Sequence, residues 1–191
     1  MDRSNGSGIR YHIKNICLIG YMGSGKTTVG RLVAGKLAME LKDTDELITM
    51  KEGRSISDIF SNDGEAYFRE LENRLLNELA KEGKLKDTVL STGGGLPVDV
   101  RNRPLLKRIG TVIYLKASAA SLNERVGDDT GRPLLDADDR LSRIEDMLKI
   151  RGPIYEECAD HIIETDSLSI EETVTEVVRI VTSWQDKSKS S

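Results

Sequence analysis

Residues Gly20-Tyr21-Met22-Gly23-Ser24-Gly25-Lys26-Thr27 constrain this chain more than any other stretch. They spell a P-loop, in which glycines let the backbone curl until consecutive N–H groups face phosphate oxygens. Lys26 follows the β- and γ-phosphates of a nucleotide, and the Thr27 hydroxyl is placed to hold Mg²⁺. Such a loop needs a buried strand before it and a helix after it. Ile16-Cys17-Leu18-Ile19 is a short apolar run of strand type. Thr27-Thr28-Val29-Gly30-Arg31-Leu32-Val33-Ala34 reads as a helix with its N-terminus at the phosphates. Gly23, Ser24, Gly25, Lys26, Thr27 and Thr28 are the expected phosphate contacts.

Around this unit, strand runs alternate with helical runs, which predicts an α/β domain with a parallel sheet covered on both faces. The strands are expected at 15–19, 40–42, 88–91, 111–115 and 161–164. Helices are expected at 26–38, 45–52, 57–62, 64–82, 97–108, 119–126, 140–157 and 170–184, with Ser55 as a cap. In the longest early helix, Phe68, Leu71, Leu75, Leu76 and Leu79 form a core-facing stripe. Ligands of such sheets lie at the carboxyl ends of the strands, so the loops there should hold the chemistry.

Asp43-Thr44-Asp45 follows the second strand. Two carboxylates one residue apart suit a hard cation or a hydroxyl substrate, and equally an N-cap before Glu46. The third strand ends at Ser91 with no Asp, where many P-loop proteins carry a metal-linked carboxylate. That moves metal support to Asp43 and substrate contact to Asp45. Thr92-Gly93-Gly94-Gly95 leaves backbone N–H groups bare for close approach. Arg69 is turned about 100° from the Phe68 stripe by helical geometry, and Glu72 is spaced to brace it. The polar stretch from Gly127 through Arg132-Pro133-Leu134-Leu135 has the make-up of a lid, set at about 127–138. Gly152-Pro153 should break a helix and turn Arg151 toward a cleft.

The chain has 191 residues, enough for one domain with a real core. Its net charge of −4, from 28 Lys+Arg against 32 Asp+Glu, argues against non-specific nucleic-acid binding. No apolar stretch approaches the ~20 residues of a membrane span. Residues 1–8 and 185–191 read as flexible polar tails around a 9–184 domain. Cys17 and Cys158 lack metal or redox spacing, so reduced, buried thiols and a cytoplasmic home are expected. His12 and His161 read as surface or edge histidines, Tyr21 and Met22 as space-fillers beside the P-loop, and Trp184 as packing for the last helix.

Taken together, these landmarks resemble the shikimate kinase family. The shared set is Gly20–Thr28, Asp43-Thr44-Asp45, Gly53-Arg54-Ser55-Ile56, Gly64-Glu65 with Phe68-Arg69, Thr92-Gly93-Gly94-Gly95, Arg132-Pro133-Leu134-Leu135, and Arg151 with Pro153 and Tyr155. They stand in the family's order over about residues 13 to 180. The resemblance implies a three-layer P-loop kinase of the nucleoside-monophosphate-kinase type, with strand order 2-3-1-4-5 and a lid. It implies transfer of the γ-phosphoryl of MgATP to the 3-hydroxyl of shikimate, in aromatic amino-acid synthesis, by a monomer. It assigns Asp45, Arg69, the Gly93–Gly95 backbone and Arg151 to shikimate, Arg125 and Arg132 to ATP, and Asp43 with Thr27 to Mg²⁺. Lys26, Asp45 and Arg132 are then the catalytic set. Two other readings fit a P-loop chain: a different small-molecule kinase, such as a gluconate kinase, and a nucleotide-binding interaction protein without turnover.

Overall fold

The computed structural model describes residues 15–127 and 137–187. Its strands are β1 (Asn15–Ile19), β2 (Glu40–Asp43), β3 (Thr88–Ser91), β4 (Gly110–Lys116) and β5 (His161–Glu164). The helices are α1 (Lys26–Leu37), α2 (Thr44–Glu52), α3 (Ile56–Leu79), α4 (Arg103–Ile109), α5 (Ala119–Gly127), α6 (Ala137–Cys158) and α7 (Ile170–Lys187). All strand pairings are parallel, and the order is β2-β3-β1-β4-β5, as expected.

The period-two alternation of side chains splits the core into two layers. Cys17, Ile19, Leu90, Val112 and Tyr114 point to one face, where they meet Ile48, Phe68, Leu76, Leu106 and Tyr155 from α2, α3, α4 and α6. Ile16, Leu18, Val89, Ile113 and Leu115 point to the other, against Val29 and Val33 of α1 and Val174 and Val177 of α7. The central strands are therefore apolar on both sides, as a doubly covered parallel sheet requires.

The structure corrects three expected boundaries. Residues 57–62 and 64–82 form one element, α3, which ends at Leu79 and bends at Gly64, where φ is 81° and ψ 173°. Ser55 caps it in a full capping box with Asp58. The helix expected over 97–108 is instead a 3₁₀ turn at Leu96–Val98, a gap, and α4. Pro97 and Pro104 lack the N–H donors a continuous helix would use, and Asp99 draws the Arg101 N–H into a local turn. Helix α6 continues through Gly152-Pro153, as the helix expected over 140–157 does, so the break read there is not a helix end. Only the one donor missing at Pro153 is lost, while Tyr155 and Cys158 beyond it are buried and hold the last turns to the core. Helix α7 passes its expected end at Trp184 and runs to Lys187. Arg132, His12 and residues 128–136 of the expected lid lie outside the described residues.

Candidate active site

The P-loop closes around two left-handed residues, Gly23 (φ 83°) and Gly25 (φ 87°). Gly25 is the N-cap of α1 and has no side chain to occupy the helix's first N–H groups. Those donors, at the positive end of the helix, are left facing the loop, which is the requirement for holding phosphate. The Ser24 N–H donates to the Tyr21 carbonyl at 3.1 Å and tightens the curl. Lys26 is folded inward, its Nζ donating to the carbonyls of Gly20 (3.0 Å) and Tyr21 (2.8 Å). Burial pushes its pKa down to about 8, against the pull of Asp45 and Asp43.

Asp43 divides its two oxygens. Oδ1 accepts from the Asp45 N–H at 2.9 Å and caps α2; Oδ2 accepts from the Thr27 hydroxyl at 2.9 Å. The Thr27 oxygen also lies 3.0 Å from Ser91 Oγ, at the end of β3. The cap of α2 is therefore Asp43, not the aspartate next to Glu46, and its second oxygen stays with the P-loop threonine. Hydroxyl, hydroxyl and carboxylate form an oxygen-only cluster beside the phosphate loop, the donor chemistry a hard divalent cation takes.

Asp45, in the first turn of α2, looks across at the triple glycine. Its Oδ1 is buried and has no hydrogen-bond partner. A Cβ on Gly93 would lie 2.6 Å from that oxygen, so only glycine leaves the approach open. The Asp45 pKa is raised, first by burial and then by Asp43, while Lys26 and Arg69 draw it back. The Gly93 N–H is held by Thr44 Oγ1 at 2.9 Å, which ties the glycine loop to the start of α2.

Arg69 is braced on both sides by its own helix. Its guanidinium donates to Glu72 Oε2 at 2.8 Å and to Glu65 Oε1 at 2.7 and 3.2 Å, and lies over the Phe68 ring at 5.6 Å. Its far side faces Gly95, where a Cβ would come within 2.6 Å of Nη2. Glu72 is fully buried, and its Oε1 has no partner. Burial raises its pKa to about 7, with Arg69 opposing and Asp45 and Asp99 adding to the rise. Arg151 comes from α6, its guanidinium 5.9 Å from the Tyr21 ring centroid.

A separate cavity of about 390 Å³ opens on the other side of the P-loop. Gly23, Gly25, Thr28, Arg125, Thr165 and Leu168 are among its walls. Arg125 is fixed there by Thr165, donating to its hydroxyl at 3.3 Å and its carbonyl at 3.2 Å.

The structure brings Thr28 and Arg125 together with the P-loop around this cavity. It sets Asp45 against Gly93 and Arg69 against Gly95, with Gly94 resting on the P-loop, and Asp43 beside Thr27. Arg151 is placed beside Tyr21. Sequence reasoning passed over Thr165 and Leu168, although the rule that ligands sit beyond strand ends points to the loop after β5. It also passed over the Tyr155 hydroxyl, which donates to the Gly94 carbonyl at 2.6 Å. Tyr21 does more than fill space, since it offers its ring to Arg151.

Comparison with known proteins shows which family the chain resembles. The shikimate kinase family model matches residues 22–182. A shikimate kinase of Caldicellulosiruptor saccharolyticus is 44% identical over 168 residues, which is 88% of this chain and 95% of that protein. One of Legionella pneumophila is 41% identical over 167 residues, 87% of this chain and 94% of its own. Among solved structures, shikimate kinase from Acinetobacter baumannii in complex with shikimate superposes with a TM-score of 0.80 at 39% identity, over 90% of this chain and 94% of that one.

Proposed function

The chain belongs to the shikimate kinase family, and from that membership we infer that it transfers the γ-phosphoryl of ATP to the 3-hydroxyl of shikimate, giving shikimate 3-phosphate and ADP. The observation that carries the assignment to this cleft is the buried, unpartnered Asp45 oxygen facing Gly93, with Lys26 on one side and Arg69 on the other. A carboxylate kept without a donor in a buried place is set for a ligand that brings one, and an alcohol brings one.

Shikimate carries a ring carboxylate and three hydroxyls. The carboxylate calls for permanently charged, forked donors, which Arg69 and Arg151 supply. The absence of side chains at Gly93, Gly94 and Gly95 leaves room for the ring to lie against the backbone. Asp45 then accepts the proton of the reacting hydroxyl into a hydrogen bond and aims its oxygen in line with the γ-phosphate. Its raised proton affinity suits it to take that proton as the O–P bond forms and ADP leaves. Because such transition states are loose, aiming the hydroxyl contributes most. Lys26, released from the Gly20 and Tyr21 carbonyls, follows the phosphate charge, and the α1 N–H groups stabilise it. Arg132 is assigned to the same charge and Arg125 to the nucleotide beyond it, beside Thr28.

Mg²⁺ would be held by Thr27 with Asp43 in support, and when bound it neutralises the phosphate oxygens. Cys17 and Cys158 are free and buried, which supports a reducing, cytoplasmic setting. Among the described residues no helix is long and apolar enough to cross a membrane.

The test is a coupled ADP-release assay run in parallel on shikimate, gluconate and nucleoside monophosphates. Turnover is expected with shikimate alone. ADP release with gluconate or a monophosphate, and none with shikimate, would hand the cleft to a different acceptor. Nucleotide binding with no turnover on any would make it a non-catalytic module.

A further inference from the structure

Tyr155 is fully buried in α6, and its ring packs on Tyr114 of β4 with centroids 5.1 Å apart and planes tilted by 47°. Its hydroxyl leaves this apolar seat to donate to the Gly94 carbonyl at 2.6 Å, across 61 residues of chain. The opposite side of Gly94 rests on the P-loop: a Cβ there would lie 3.3 Å from both the Gly20 carbonyl oxygen and the Met22 nitrogen. Gly94 is thus held between a tyrosine hydroxyl and the phosphate loop. Arg151 stands one turn before Tyr155 on the same face of α6, and its guanidinium acts on the phenol by charge and hydrogen bonding. A phenol with its only proton committed to a carbonyl still offers lone pairs to a neighbouring guanidinium. Burial pushes the Tyr155 pKa up to about 12, so the proton stays on the oxygen.

We propose that Tyr155 is a positioning residue: its hydroxyl fastens the triple-glycine loop to the helix that carries Arg151, and so fixes the spacing of two groups that grip the acid substrate. The proposal rests on the assignment of Gly94 and Arg151 to shikimate made above. The residue itself touches no reacting atom. It joins the loop after β3 to α6.

Tyr155→Phe is the direct test, because it keeps the ring and its packing on Tyr114 and deletes only the oxygen. Loss of one buried hydrogen bond predicts a rise in the KM for shikimate of about fivefold to tenfold, with the KM for ATP within about twofold of the parent. A purely structural role would lower the melting temperature and leave both KM values alone; that result, or equal rises in both, overturns the proposal. Arg151→Ala, measured alongside, separates the two layers of the argument. If it raises the shikimate KM and Tyr155→Phe does not, positioning by Tyr155 is wrong and the site stands. If neither moves it, the site assignment falls and the proposal falls with it.

Discussion

The two halves of the cleft are made in different ways. The phosphate half is a local object: residues 20–28 contain its turn, its helix N-terminus and its lysine, and even Lys26 is held by carbonyls five and six residues before it. The half proposed to bind the acid draws on four separate places, namely α2 for Asp45, α3 for Arg69, the loop after β3 for Gly93–Gly95, and α6 for Arg151. Backbone N–H groups do the work in the first, and charged side chains in the second. A local, backbone-built site tolerates change elsewhere; a composite one depends on every element that places a side chain. The boundary between them is Asp43, one oxygen of which belongs to each half.

If that division is right, Asp45→Asn strikes only the second half. Turnover should fall by about 10²–10⁴-fold, the range for losing a positioned proton acceptor. ATP affinity, measured by titration of the variant, should stay near that of the parent. Loss of ATP binding would show that the halves are one electrostatic unit, since Asp45 acts on Lys26.

Next in size is the carboxylate grip. Removing Arg69 deletes charged hydrogen bonds of about 1.5–3 kcal/mol each, so Arg69→Ala should raise the shikimate KM by about tenfold to a hundredfold. The KM for ATP should move far less. Arg69 also neutralises Glu72, so stability is expected to drop in the same variant; comparison with Arg69→Lys in a KM and melting series separates grip from support.

A subtler test uses glycine. In Gly95→Ala the new Cβ meets the Arg69 guanidinium, 2.6 Å from Nη2, which is the movable end of a side chain. The fold should survive with its melting temperature near the parent's, while Arg69 is pushed off its mark and shikimate binding weakens by about tenfold, less than on outright loss of the arginine. An unchanged KM would mean that Arg69 has another productive position, and that the composite half is more forgiving than its construction suggests.

This contrast also explains what could be read from the chain alone. The P-loop and its strand and helix were legible because every interaction that defines them is local. The double-faced core followed from the apolar runs in β1, β3 and β4 and their alternation with helical runs, whereas the strand order came from the family resemblance. Helix α4 was misplaced because the Asn102 side chain, reaching the Leu96 carbonyl, and the Asp99 turn compete with helix in ways that periodicity does not register. Pro153 interrupts the pattern of the 140–157 helix because one missing donor is conspicuous in sequence, whereas the buried seats of Tyr155 and Cys158 that carry the helix past it are not. The long-range tie from Tyr155 to Gly94 leaves no local signature at all. Asp45, Arg69 and Arg151 could each be singled out locally, Asp45 as a substrate contact, but the carboxylate-binding role of the two arginines came from family resemblance; which groups converge is a property of the fold.

The smallest expected effect concerns Glu72, the buried support of the composite half. Its carboxyl is raised from 4.5 to about 7 by burial, helped by Asp45 and Asp99, with Arg69 pulling down and Glu65 on the far side of that arginine. Between those two values the folded protein holds a proton that the unfolded chain has released. This group's contribution to stability therefore falls as pH rises through that window and is level above it. Urea unfolding of Glu72→Gln and the parent at about pH 5 and about pH 8 reads the difference. The parent should lose more stability than the variant on going to the higher pH. The reverse order would mean that Arg69 holds Glu72 ionised throughout, making the acid-binding half as rigidly charged as the phosphate half is rigidly wound.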